Sequence, residues 1–201
     1  IYFADKATGT IKNAKIMTDV DLGHIAVSDA KLHLENVLFT AETSSLWGMS
    51  NATITAKDLT INAHGGNSAI SIEAGANFTA DGLHVDYHTT NDSSDYTLAS
   101  VFIKNSTVDI SNFDISVREE RNDSANNVFQ TGYGPKGNRS TVLLTNGTAN
   151  AEKGHAFYFM NANAILNDVT GTSGGNVALY AAHDTDIVVN GGQMESQRNA
   201  A

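Results

Sequence analysis

The sequence predicts an all-β chain wound into a right-handed parallel β-helix with three short strands per turn, and three features of its 201 residues carry that prediction. A thirteen-residue segment recurs along the chain at a near-constant period, the mark of a solenoid. Each copy alternates apolar and polar residues, as a half-buried strand does. In the middle of each copy the alternation slips by one, at a residue type that accepts positive φ.

The clearest copy is residues 51–63, NATITAKDLTINA. Close relatives of it occupy 29–41 (DAKLHLENVLFTA), 75–87 (GANFTADGLHVDY), 105–117 (NSTVDISNFDISV), 139–151 (RSTVLLTNGTANA), 161–173 (NANAILNDVTGTS) and 184–196 (DTDIVVNGGQMES), with a weaker version at 6–18. The second residue of each is small: Ala7, Ala30, Ala52, Ala76, Ser106, Ser140, Ala162 and Thr185. These anchors lie 23, 22, 24, 30, 34, 22 and 23 residues apart. Two longer periods among short ones predict about eight rungs of 22–24 residues with two loop insertions, near 88–97 and 118–138.

Inside the clearest copy Ile54 and Ala56 point one way, and so do Leu59 and Ile61. Strict period two would turn Leu59 outward, so the chain must rotate between the two pairs. The residue before Leu59 and its equivalents is Asn13, Asn36, Asp58, Gly82, Asn112, Asn146, Asp168 and Gly191. Asn, Asp and Gly make up 53 of the 201 residues, so eight in eight is far above background. These types enter the left-handed region most readily. Each copy therefore reads as two short strands joined by a one-residue bend, and stacked bends predict a column in which Asn side chains hydrogen-bond along the axis. The third strand is expected just before each anchor, with inward pairs Ile25/Val27, Trp47/Met49, Val101/Ile103, Phe157/Phe159 and Tyr180/Ala182, and with Ile70/Ile72 displaced by one. A leucine-rich repeat has a similar period but wants a Leu framework and a fixed Asn; here Val, Ile, Ala and Thr fill the columns.

The length suits one domain or one continuous solenoid, 1–201. There is no cysteine and a single proline, Pro135, so neither a disulfide framework nor a thiolate metal site exists. A net charge of −10 argues against nucleic acid and against docking on anionic lipid. Neither end shows a polar capping element, which leads to the expectation of a segment from a longer β-helix.

Candidate chemistry lies on the outward side of the copies. Stacking is expected to bring His84, Asp86, Asp109 and Asp114 into neighbouring rungs, with Asp81 close by. Carboxylates facing each other at strand spacing could serve as acid and base of a polysaccharide lyase or glycoside hydrolase. Short hydrogen-bonding residues dominate the same face elsewhere, among them Thr60, Thr148, Asn150 and Thr170, and they predict a flat polar wall for binding rather than catalysis. His84 and His88 would lie roughly 13 Å apart along one strand, too far to share an ion. No cofactor motif occurs, and neither a phosphate-cradling loop nor a nucleophile elbow is present.

The strand–Asn/Asp/Gly–strand copies, the lack of cysteine and the Thr/Asn-rich acidic face resemble the passenger domains of Gram-negative autotransporters, in particular the pertactin-like and self-associating adhesin group. The resemblance covers nearly the whole chain and is one of repeat style. It implies a secreted β-helix on the bacterial cell surface, attached to the membrane only through a separate β-barrel. It also implies a non-enzymatic role in aggregation, biofilm formation or attachment to a host glycan or matrix protein. On that reading Thr60, His84, Asp86, Asp109, Asp114, Thr148, Asn150 and Thr170 are the candidate binding residues. A purely structural stalk is the remaining alternative.

Overall fold

The computed structural model describes residues 1–18, 24–42, 45–65, 68–89, 99–119, 126–133 and 138–197. Within these residues sixteen strands, numbered in chain order, alternate between two sheets, and no helix occurs. The odd-numbered strands are short: β1 (Tyr2–Phe3), β3 (Ile25–Ser28), β5 (Leu46–Met49), β7 (Ser68–Glu73), β9 (Ala99–Lys104), β11 (Asn127–Thr131), β13 (Phe157–Met160) and β15 (Leu179–Ala182). The even-numbered ones run 11–13 residues: β2 (Thr8–Thr18), β4 (Lys31–Ala41), β6 (Thr53–His64), β8 (Asn77–Thr89), β10 (Thr107–Glu119), β12 (Ser140–Ala151), β14 (Ala162–Ser173) and β16 (Asp186–Ser196). Each class forms its own eight-stranded sheet in sequence order, and all pairings are parallel. Every pass through a short and a long strand thus advances the chain by one strand spacing, an arrangement consistent with a β-solenoid.

The long strands hold the bends. All eight expected positions have positive φ, from 49° at Asn13 to 74° at Gly82 and Gly191, and they lie in one column of the long-strand sheet. The phase slip follows: in β6, Ile54 and Ala56 are buried before the bend and Leu59, Ile61 and Ala63 after it. The side-chain ladder is present, with Asn36 Nδ2 donating to Asn13 Oδ1 at 2.8 Å and Asn146 Nδ2 to Asn112 Oδ1 at 2.6 Å. Asp interrupts it, since a carboxylate has no N–H to pass on. Both aspartates of the column, Asp58 and Asp168, are followed one strand later by glycine. A Cβ on Gly82 would lie 2.7 Å from Asp58 Oδ1. Beside the glycines the residue before the bend takes over: Asn112 donates to Asp81 Oδ1 at 2.6 Å and Asn190 to Asn167 Oδ1 at 2.9 Å.

The core is the space between the two sheets. Ile25, Ile70, Val101, Phe129 and Phe157 of the short strands meet Leu34, Ile61, Val85, Ile115 and Leu166 of the long ones in one buried cluster. Large and small residues offset one another along the columns: the Phe113 ring fills the space where Gly147 lacks a side chain, and the Phe3 ring does so at Gly9. Phe113, Phe129 and Phe157 form a continuous aromatic run, the last two stacked at 5.7 Å.

Two expectations for the short strands need correction. Trp47 does not face inward; Leu46 and Gly48 do, in register with Ile25 and Val27, while Trp47 is 37% exposed and meets His24 edge-on. Likewise Leu179 and Ala181, not Tyr180 and Ala182, continue the columns of Phe157 and Phe159. The turn length explains the first error. Between β3 and its anchor one residue, Asp29, is left-handed, whereas between β5 and Ala52 two are, Ser50 and Asn51. The extra residue shifts the inward pair by one. Ala74 and Gly75 do the same after β7, which accounts for the displaced Ile70/Ile72.

A third correction concerns the stretch 118–138, which is not one loop. Arg118 and Glu119 end β10, and β11 lies within the stretch, pairing Phe129 with Val101 and Phe157. Of the first expected insertion, His88 and Thr89 complete β8; the rest of it, with 120–125 and 134–137 of the second, lies outside the described residues.

If the bend column carries the stability, replacing Asn112 separates its two contributions. Asn112→Ala removes two ladder hydrogen bonds and puts a β-carbon without local compensation at φ 53°. This is expected to cost about 2–3 kcal/mol, against about 1 for Asn112→Gly, which keeps the bend. Denaturant midpoints of the two variants read the difference; equal losses would mean that the left-handed geometry contributes nothing there.

Candidate functional site

The outward residues of the long-strand sheet form two strips that meet along the bend column. The sequence predicted one flat wall; the left-handed bend divides it. Before the bend the strip carries Thr55, Thr79 and Asp109, and nearer the bend Lys57, Asp81, Ser111, Thr145 and Asn167. After the bend one row runs Thr60, His84, Asp114, Thr148 and Thr170, and a second runs Asn62, Asp86, Ser116, Asn150 and Thr172. An open depression of about 720 Å³ follows the bend column, floored by Asn36, Asp58, Gly82, Asn112 and Asn146 and flanked by Thr60, His84, Asp114 and Thr148.

Seven of the eight expected binding residues therefore share the two rows after the bend. Asp109 does not; it lies on the other strip, between Thr79 and Leu143. Nor are any two of Asp86, Asp109 and Asp114 register partners: Asp86 stands beside Asn62 and Ser116, and Asp114 beside His84 and Thr148. Asp86 and Asp114 are diagonal neighbours on adjacent strands, and Asp109 is apart from both.

Most polar groups on the second strip bond to the next strand. Thr148 Oγ1 donates to Asp114 Oδ1 at 2.5 Å, and His84 Nδ1 lies 3.5 Å from Asp114 Oδ2. This places the carboxylate between hydroxyl and imidazole. A nucleophile needs the imidazole in the middle, so the trio is a hydrogen-bonded row and not a charge-transfer relay. Ser116 Oγ donates to Asp86 Oδ1 at 3.1 Å, Arg118 Nη2 sits 3.4 Å from Asp86 Oδ2, and Thr172 Oγ1 donates to Asn150 Oδ1 at 2.6 Å. Asp81 is held below the usual carboxylate range by the hydrogen bonds it accepts from Asn112 and then Ser111. Among the described residues, no group of three or more His, Asp or Glu side chains is placed to hold a metal ion.

Two sets of residues escaped the sequence reading. Asp58, Gly82, Asn112 and Asn146 were recognised only as bends, although they floor the depression; nothing in their types separates the two roles. Glu119 fell in a stretch read as loop, yet its side chain is fully buried. Its Oε1 accepts the Asn126 N–H at 2.6 Å, its Oε2 has no hydrogen-bond partner among the described residues, and Lys153 Nζ lies 3.7 Å away. Burial pushes this carboxyl up to about 7.

Comparison of the chain with protein-family models, curated protein sequences and solved structures returns no match. The site is therefore read from its own geometry.

The buried carboxyl generates a pH dependence. Folded Glu119 binds its proton up to about pH 7, against 4.5 when unfolded. Its stabilising contribution is complete below pH 4.5 and is lost as pH rises through 7, a change on the order of 3 kcal/mol. Unfolding midpoints at pH 5 and pH 8 should show wild type weakened at the higher pH and Glu119→Gln much less so. An unchanged pH difference in the variant would rule out Glu119 as its source.

Proposed function

We propose that the chain is a right-handed, eight-rung parallel β-helix from the passenger region of a bacterial surface adhesin, and that it acts by binding rather than catalysis. The observation that carries this reading is the pair of polar rows after the bend. Short Thr, Asn, Ser and Asp side chains repeat there on a rigid parallel sheet, in register from strand to strand. Right-handedness is favoured because parallel strands joined by crossovers coil that way in nearly all proteins. The binding role is supported by the hydrogen bonds that Asp86 and Asp114 accept from Ser116 and Thr148, which hold the polar rows together.

Such a face suits extracellular contact. It offers many weak hydrogen-bonding positions in regular rows, whose effect grows when many copies stand on one cell. Each polar row is already half-satisfied by its neighbours, so little side-chain freedom is lost on contact. The partner is a host glycan, a matrix protein or another copy of the chain, and the membrane is reached only through a separate β-barrel.

Display of the chain on cells without adhesins of their own tests the reading. Wild type is expected to confer clumping or attachment to glycan- or matrix-coated surfaces. Asn150→Lys with Thr170→Lys should reduce it several-fold, while Lys104→Glu, at the end of β9 in the other sheet, should not. Full adhesion by the double variant would reject this face as the binding surface.

A further inference from the structure

We propose that the two ends of the coil fit each other, so that copies of the chain stack head to tail into an open filament. In it β16 of one copy pairs with β2 of the next, and β15 with β1. This goes beyond the adhesive reading, because it uses the ends of the coil and not its lateral face. Among the described residues β1 and β2 stand at one end of the two sheets and β15 and β16 at the other, each with one edge unpaired. The inward columns stay half open there. Val189 is 44% exposed, Ile187 and Met194 are only partly covered, and so are Ile11 and Ile16 at the opposite end. Two bare ends need not match; these match in register, hydrogen bonding, ring stacking and charge.

The strand pairings carry one register from Thr8 through every long strand to Asp186. Stacking in that register sets Val189 on Ile11, Met194 on Ile16 and Gly191 on Asn13 of the next copy. The short strands carry another register from Phe3 to Ala181. Thr8 follows Phe3 by five positions, and Asp186 follows Ala181 by five. Both sheets therefore continue together across the junction, with turns of equal length.

The amide ladder has a spare group at each end. Asn13 Oδ1 accepts from Asn36, while Asn13 Nδ2 has no acceptor among the described residues. Asn190 Nδ2 donates to Asn167, while Asn190 Oδ1 receives no donor among them. Stacking sets Asn13 over Gly191, with Asn190 just before that glycine. Asn112 stands over Gly82 in the same way and donates to Asp81. Spare donor and spare acceptor thus meet across the junction.

Rings and charges follow the same frame. Tyr158 and Tyr180 stack at 4.9 Å with 7° between their planes, and Tyr180 ends that row 40% exposed. Tyr2, 67% exposed, occupies the corresponding position on β1 and supplies the next ring. The β1–β2 end bears Lys6, Lys12 and Lys15 against one acid, Asp5; the β15–β16 end bears Asp184, Asp186 and Glu195. Charges on a strand edge ordinarily discourage pairing. Opposite signs on the two edges instead disfavour contact of like ends and favour this one. Lys6 falls opposite Asp184, and Lys15 diagonal to Glu195, within reach of a long side chain. A contact between unlike ends does not close on itself, so it propagates.

Both surfaces lie within residues 1–201, so the purified chain of that length is the sample. Sedimentation velocity across a wide concentration range should show mass growing past the dimer and retreating in high salt, and electron microscopy should show thin unbranched rods. Val189→Lys places a charge on the open end, where the side chain already meets water, and should leave monomer. Lys15→Glu should weaken assembly about fivefold, and adding Glu195→Lys should restore it; this swap lies outside the core and reports even if Val189→Lys fails to fold. A wild type that stays monomeric, a dimer that grows no further, undiminished assembly by Val189→Lys, or no recovery in the double swap would overturn the stacking.

Discussion

One left-handed residue in each long strand governs the rest of the molecule. A strand without it would carry its apolar set onto the wrong face after five residues, and the core would lose half its lining. With it, both halves of the strand face the short-strand sheet, and a single cluster fills the space between. The bend costs little because Asn, Asp and Gly hold it in all eight positions, and the Asn side chains recover part of that cost by bonding to the strand below. Where Asp breaks the chain of amides, glycine follows, leaving the carboxylate room over the next bend.

The same constraint shapes the surface. A continuous flat wall would be expected from alternation alone; the bend creates two strips and a shallow trough between them. On the strip after the bend, hydroxyls, amides and carboxylates are tied together from strand to strand, which makes the face stiff. Glu119 shows the opposite arrangement: a carboxyl withdrawn from water at the end of β10, whose charge is disfavoured by burial and which belongs to the packing of the turns, not to the outer face.

The bends, the anchors and the alternation could be read from the sequence because each depends on the residue's own backbone preference or on burial of one face. Those are local properties, and residues 51–63 display them in full. Errors arose where a second influence intervened. Trp47 faces outward because the turn after β5 holds two left-handed residues, Ser50 and Asn51, where the turn after β3 holds one. β11 was missed because all five of its residues are buried; when both faces are covered the polar–apolar alternation vanishes, and Gln130 and Asn127 bond to each other instead of facing water.

What the sequence determined by itself is therefore the repeat, the position of every bend and the inward set of each long strand. Backbone conformational preference and the period of side-chain burial act within a few residues, and they leave their record in residue type. Only the tertiary structure decided that Asp109 parts company with Asp114, that the Asp58 carboxylate takes the space over Gly82, and that Glu119 is buried. These depend on which strands become neighbours and in what register, and hydrogen bonds between residues 22 to 34 positions apart are set by stacking, which no single copy of the repeat encodes.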